Sequence, residues 1–291
     1  MKKLSQTTVS EVMFKKEFYQ QFEIIDLAQL YTKNKQTITK IHRADFYHII
    51  WFRKGNTVHF VDFEEIKIEP ETILVLNKNV IHRFSDNENV EGTVILFTDS
   101  FFSKSKEDAE YLQSNFLFHS LFSISRISLC KQKDVFIQFL DLMTQEVSFH
   151  NDSFQSEILR NHLHNTLLII ERGMQGEEKK LFKSKALKDA YMFSSLLENN
   201  FKSEKTVHYY AKEINITEKK LIQSTLLITG KTPKDLIINR VVLEAQRQIV
   251  FTNKSIKEIA YDLGYDEPTN FIKFFRKQCE TTPLDFRNKF S

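Results

Sequence analysis

Residues 206–230 read TVHYYAKEINITEKKLIQSTLLITG, and residues 255–280 read SIKEIAYDLGYDEPTNFIKFFRKQCE. Both stretches follow one plan. A short amphipathic helix carries an alanine where two helices must approach closely, Ala211 or Ala260. A tight turn follows, INIT at 214–217 or LGYD at 263–266, and then a second helix anchored by a large apolar residue, Leu221 or Phe271. This is the plan of a helix-turn-helix unit, whose second helix lies in a DNA major groove. The first turn of that helix offers backbone N–H groups and the positive end of the dipole to phosphate. Residues 233–251 join the two units as one continuous helix, with Ile237, Val241, Ala245 and Ile249 at helical spacing. At about 1.5 Å per residue this strut is roughly 28 Å long, close to one duplex turn of about 34 Å. It can hold two recognition helices over successive grooves of one DNA face. One helix pair occurs in any helical bundle. Two in near-matching phase, joined by a strut and followed by Pro283 and Arg287, predict sequence-specific binding of double-stranded DNA.

The same geometry assigns side chains. Leu221 turns inward, so Lys219, Ile222 and Gln223 turn to the groove, with Lys220 nearer the DNA backbone. In the second unit Thr269, Asn270 and Lys273 face bases, while Phe271, Phe274 and Phe275 pack or flank. Gln and Asn suit adenine and Lys suits guanine. Arg276, Lys277 and Arg287 cluster near the end of the second unit and are expected to meet phosphates. Charge agrees with this placement. Residues 180–291 hold 20 Lys and Arg against 13 Asp and Glu, a balance of +7, and the rest of the chain has a balance of −4.

With 291 residues and 41% hydrophobic content, the chain is expected to form two domains with packed cores. No apolar run is long enough to span a membrane, and the start, MKKLSQTTVS, lacks the apolar stretch of a signal peptide. Cys130 and Cys279 lie far apart and outside any metal-ligand spacing, so they read as free thiols in a reducing cytoplasm. No nucleophile elbow, P-loop or dinucleotide fingerprint is present. The expectation is a cytoplasmic protein that is not an enzyme and carries no cofactor.

Ahead of the helical third, residues 46–52 (FYHIIWF), 57–63 (TVHFVDF), 66–69, 72–76 and 92–97 (GTVILF) are β-rich and aromatic. Many short strands at close spacing argue for a barrel or sandwich. A short helix is expected near 18–31, and further helices at 107–115, 134–150, 153–172 and 185–199. Residues 1–173 are taken as one domain, 174–184 as a polar linker containing a glycine, and 185–291 as the second domain.

Residues 190–290 resemble the DNA-binding domain of the AraC/XylS family of bacterial transcription regulators. The resemblance rests on RVVLEA at 240–245, SIKEIA at 255–260, Leu263-Gly264-Tyr265, Phe271 with Phe275-Arg276-Lys277, and Thr282-Pro283 with Phe286-Arg287. Three departures stand out: Thr225 where the family usually has Phe, Asn270 where an aromatic is common, and Glu280 where Gly is usual, so that the C-cap there must be made differently. The segments at 42–47, 55, 59–63, 80–82, 91–92 and 97–102 are similar to the cupin-type sensor barrel of many such regulators, without the proline of its "PGxxH" turn. The resemblance implies a multidomain α+β fold: an N-terminal cupin-like β-barrel with dimerisation helices and a C-terminal all-α tandem helix-turn-helix domain. It further implies a transcription activator, a small-molecule effector in the barrel, RNA polymerase as a partner, and a homodimer formed through residues 153–172.

Inside the sensor, His42, Tyr47, Trp51 and His82 are taken as effector contacts. His48 and His59 lie in the same region, but the spacing His42–His48 and the lack of a following Glu argue against a metal, which needs three convergent ligands. Two rival readings remain. In one, the barrel binds nothing and serves only for dimerisation. In the other, a metal-dependent cupin enzyme is fused to a DNA-binding domain.

Overall fold

The computed structural model describes residues 10–14, 21–86, 89–114, 116–118, 125–128, 132–149, 152–173 and 185–290. They form two compact units, one holding the described residues up to 173 and the other those from 185 onward. The expected linker at 174–184 and Cys130 lie outside the described residues. Among those described, no helix is long and apolar enough to cross a membrane.

The first unit is built on ten strands among its described residues. They are β1 (Ser10–Val12), β2 (Phe22–Asp26), β3 (His42–Ala44), β4 (Tyr47–Lys54), β5 (Thr57–Val61), β6 (Glu64–Ile68), β7 (Thr72–Leu76), β8 (Ile81–Phe84), β9 (Glu91–Phe97) and β10 (Ser125–Ser128). They form two five-stranded sheets, β1-β3-β8-β5-β6 and β10-β7-β4-β9-β2. The ladders do not join into a closed barrel among the described residues. Instead Ile50, Phe52, Leu74 and Val94 of the second sheet share one core with Ala44, Val61, Ile68 and Phe84 of the first. A helix α1 (Leu27–Ile38) contributes Leu27, Leu30 and Tyr31 to that core.

The N-terminal expectation needs correction. Residues 22–26 are a strand, and α1 starts only at Leu27. Asp26 sets the boundary: its carboxylate accepts from the backbone N–H groups of Ala28 and Gln29, at 2.9 and 3.2 Å.

The other face of the second sheet carries a separate core. Tyr47, Ile49, Trp51, Ile73 and Ile95 pack there with residues of four helices: α2 (Asp99–Phe102), α3 (Lys106–Ser114), α4 (Lys133–Ser148) and α5 (Gln155–Gly173). Residues on α5 decide how it is used. Leu159, Leu163, Leu167 and Ile170 are fully buried within this unit. Of the apolar positions expected to form one stripe toward a partner subunit, Leu163, Leu167 and Ile170 therefore meet their own sheet and α4, while Phe154, Ile158 and Leu168 are exposed.

The second unit is all α among its described residues. Helix α6 (Lys185–Asn200) precedes the first helix-turn-helix, α7 (Val207–Glu213) and α8 (Glu218–Thr229). The strut α9 (Pro233–Phe251) follows, with its capping box formed by Thr232 and Asp235. The second helix-turn-helix is α10 (Ile256–Asp262) and α11 (Pro268–Cys279), and α12 (Pro283–Phe290) closes the described chain. Arg240 fastens the strut to α6. Its Nε donates to both carboxylate oxygens of Glu198, at 3.0 and 2.9 Å, and its guanidinium lies 3.9 Å from the centre of the Phe201 ring.

The turns of the two units are made alike. Asn215 and Gly264 both take left-handed backbone, at φ 57° and 71°. At Gly264 only glycine fits, because a Cβ would sit 2.0 Å from the carbonyl oxygen of Lys202. The C-caps also agree. Glu280 adopts φ 57° and donates its N–H to the carbonyl of Arg276, as Gly230 at φ 68° does to Leu226. Glu280 therefore does not change how the cap is made, contrary to expectation. It holds the same left-handed conformation at the strain cost of a side chain, about 1 kcal/mol. Glu280→Gly is expected to stabilise the second unit by about 0.5–1 kcal/mol in urea unfolding. An unchanged or lowered midpoint would show that the Glu280 side chain compensates for the strain.

Candidate nucleic-acid interface and sensor site

Recognition helix α8 buries Leu221, Ser224 and Thr225 against the domain and exposes the opposite side. Thr225 fills the place of the family's phenylalanine by burying fully, its hydroxyl 3.3 Å from the carbonyl of Ile222. Lys219, Ile222 and Gln223 are exposed and Lys220 is half-buried. Helix α11 buries Phe271 and Phe275 and exposes Thr269, Asn270, Ile272, Lys273, Arg276 and Lys277. Ser224 is anchored inward by a bond to Asp189 of α6, 3.1 Å long. Both helices thus present the residue sets expected from sequence, with their apolar anchors turned inward.

Two features go beyond the expectations. Arg287 donates through Nε to the carbonyl of Ile249 at 2.8 Å and through Nη2 to that of Lys254 at 2.6 Å. Its guanidinium secures the end of the strut and the segment after it, so it has a supporting role that the sequence did not suggest. The helix starts also offer fewer backbone donors than expected. In α8 the Thr217 hydroxyl accepts from the N–H of Lys220, 3.2 Å away. In α11 Pro268 has no N–H, and that of Asn270 bonds to the carbonyl of Glu267 at 3.0 Å. Fewer backbone N–H groups are therefore left open at these helix starts.

In the sensor unit the period-two geometry of β4 separates the four expected effector residues. His42 and His82 are cross-strand partners on the first sheet and face the space between the sheets. Tyr47 and Trp51 face the helices on the other side of the second sheet. Tyr47 stacks on Phe97 and donates its hydroxyl to Asp99 at 2.9 Å, and Trp51 packs edge-on to Phe136. Neither shares a site with the histidines, so both are corrected to core residues.

The histidines instead gather four strong. His48, on the opposite face of β4 from Tyr47, and His59 of β5 join His42 and His82, and all four are buried. The ring centre of His82 lies 4.3 Å from that of His42, 4.7 Å from His48 and 5.3 Å from His59. His59 Nε2 and His82 Nδ1 share a hydrogen bond of 3.1 Å, and His42 Nδ1 donates to the carbonyl of Lys40 at 2.9 Å. His48 Nδ1 and His82 Nε2 are buried with no hydrogen-bond partner. Burial, reinforced by neighbouring imidazoles, pushes His48 down to about 3 and His82 well below its usual value. Burial, with His42 and Arg83 nearby, pushes His59 to about 3 as well. All four are neutral at pH 7. Among the described residues, no group of three or more His, Cys, Asp or Glu is arranged to hold a metal ion. The spacing of His42 and His48 argues against a metal but does not tell how the two are placed. The missing signal was that they lie on two strands of different sheets, which pairing alone reveals.

Residues 28–174 match the AraC-like ligand binding domain, and residues 210–289 match a helix-turn-helix domain. The chain belongs to the AraC family of transcription regulators. An uncharacterized HTH-type transcriptional regulator from Pseudoalteromonas carrageenovora is 28% identical over 95 residues, 33% of this chain and 56% of that protein. The HTH-type transcriptional activator RhaS of Mannheimia succiniciproducens is 21% identical over 256 residues, 87% of this chain and 90% of its own length. The structure of ToxT from Vibrio cholerae aligns over 93% of this chain and 98% of its own at 16% identity, with a TM-score of 0.40. In this AraC-family chain the sensor fold is the paired-sheet unit and the DNA-binding fold is the tandem helix-turn-helix unit.

Proposed function

We propose that this chain reads an operator through side chains on α8 and α11 and activates transcription when a small effector enters the sensor unit. The exposed polar rows of α8 and α11, each backed by a buried anchor, carry the reading. Lys219, Ile222 and Gln223 read bases in one half-site, and Thr269, Asn270 and Lys273 do so in the other, with Lys220, Arg276 and Lys277 on phosphates. The full-length chain, tested on a duplex selected from a random pool, decides the assignment. Gln223→Ala or Lys273→Ala should cost about 1–3 kcal/mol at one base position and relax specificity there. Equal weakening on all sequences would reassign that residue to phosphate. Neutralising Arg276 or Lys277 should reduce the slope of log K against log salt by about one unit per contact. Unchanged slopes would leave them as ordinary surface charges.

The effector is read by the four-histidine cluster. A small molecule with hydrogen-bonding groups would satisfy His48 Nδ1 and His82 Nε2, which the fold leaves without partners. In a thermal-shift screen, a ligand at about 100 times its Kd adds about 2.7 kcal/mol to the sensor unit. Loss of that shift in His82→Leu places the ligand at the cluster. A persisting shift places it elsewhere, and a sensor unit that no ligand stabilises leaves the dimerisation platform.

A homodimer forms through the outward face of α5, where Ile158 and Leu168 are exposed, together with the exposed Phe154 just before the helix. The activator role follows the relative's printed function, and with it contact to RNA polymerase. The protein works in the cytoplasm and is not an enzyme.

A further inference from the structure

The two recognition helices align in sequence position for position. Each has 12 residues, each ends at a left-handed cap, and Thr-Pro follows each cap by two residues, at Thr232-Pro233 and Thr282-Pro283. Counting from the helix start, the fourth residue is the fully buried anchor, Leu221 or Phe271, and the eighth is fully buried as well, Thr225 or Phe275. On the outward side the two helices differ almost everywhere. Lys219 answers to Thr269, Gln223 to Lys273, Leu226 to Arg276 and Leu227 to Lys277. Only the fifth position carries the same outward residue in both. It is Ile222 in α8 and Ile272 in α11, with 37% and 38% of their surface exposed.

An exposed isoleucine gains nothing from water, and a single one needs no explanation. Here the same residue recurs at the same place in two otherwise divergent helices. It lies beside the positions assigned to base reading and one residue beyond the anchor that fixes the helix's rotation. The edges of base pairs in the major groove present one apolar group, the C5-methyl of thymine. A β-branched side chain is stiff at χ1 and meets such a target with little loss of freedom.

We propose that Ile222 and Ile272 each pack against a thymine methyl, so that the operator carries a thymine at the equivalent place in both half-sites. This rests on the reading of α8 and α11 as groove-facing helices and adds Ile272 to the base-reading set. It also separates the two units. The paired leucines at 226 and 227 stand where the second unit has Arg276 and Lys277, so the first unit depends more on apolar contact and less on phosphate.

The test uses the full-length chain and a duplex selected by it from a random pool. Each thymine of that duplex is replaced in turn by deoxyuridine, which removes the methyl and leaves the O4 acceptor in place. The wild type should lose about 3–5-fold in affinity at one thymine of each half-site, the scale of one buried methyl. Ile222→Ala should be indifferent to deoxyuridine at the first of these positions only, and Ile272→Ala at the second only. Ile222→Val and Ile272→Val, which keep a branched methyl pair, should retain the sensitivity. Both sites are exposed, and circular dichroism checks that each variant is folded. The proposal is overturned if deoxyuridine is tolerated at every position, or if the penalties persist unchanged in the alanine variants. Failure to enrich any duplex at all would be a different result: it would remove base reading itself, and this inference with it.

Discussion

Replacing Leu163 and Leu167 together by lysine should unfold the sensor unit. Both leucines are fully buried in the core shared by α4, α5 and the second sheet. Deleting one buried leucine side chain costs about 2–5 kcal/mol. A lysine adds the burial of an unpaired ammonium, several kcal/mol more or a strongly depressed pKa. The sum for two sites is as large as the total stability of about 5–15 kcal/mol that a domain commands. The expected result is loss of the native emission of Trp51, the chain's sole tryptophan, together with loss of near-ultraviolet circular dichroism. A folded monomer would instead return this stripe to the dimer interface. The contrasting pair, Phe154→Lys with Ile158→Lys, changes an exposed residue just before the same helix and one on it. That variant should stay folded, and in sedimentation it should shift from dimer to monomer. A folded dimer of the second pair would exclude the outward face of α5.

The contrast between these two pairs shows what periodicity carries and what it leaves open. Spacing of Leu163 and Leu167 placed them on one face of a helix, correctly. It could not say whether that face meets the same chain or another, because both are apolar. The strand β4 shows the same limit. Alternation separated Tyr47 and Trp51 from His48 and Ile50, but a strand buried on both faces gives no polar side to mark the interior. Only pairing showed that the histidine face lies between the sheets and the tyrosine face under helices. The DNA-binding unit was far more legible. Its boundaries are written in local chemistry: Thr217 and Ser255 as caps, Gly264 in a turn where a Cβ would strike backbone, and Pro233 and Pro283 at helix starts. The supporting role of Arg287 was hidden in the sequence, because its carbonyl partners at Ile249 and Lys254 are distant in the chain. Ile272 was within reach of the sequence, by setting α11 against α8 residue by residue, where it falls on Ile222.

Acid should unfold the sensor unit well before carboxylates titrate. The folded-state values of His48 and His59 are pushed down to about 3 by burial and by neighbouring charge. In the unfolded chain a histidine titrates near 6.5. The native state therefore binds fewer protons than the unfolded state at every pH between these values. The stabilisation is complete above about pH 6.5 and is lost progressively as pH falls toward the folded value. At pH 5 each of these two histidines removes about 2 kcal/mol, so the pair removes about 4 kcal/mol. His42 and His82 shift in the same direction and add to the loss. The charges that would form lie close together, since the ring of His82 is within 5.3 Å of each of the other three. Urea titrations followed by Trp51 emission at pH 7.5, 6 and 5 isolate this unit, because the tryptophan lies in its core. The midpoint should fall steadily across that range, and His48→Leu should lower the pH slope by about 1 kcal/mol per pH unit. A midpoint that is flat from pH 7.5 to 5 would mean that the cluster admits water and protons in the native state. In that case the four imidazoles would titrate near their ordinary value, and the sensor would take up charge without unfolding.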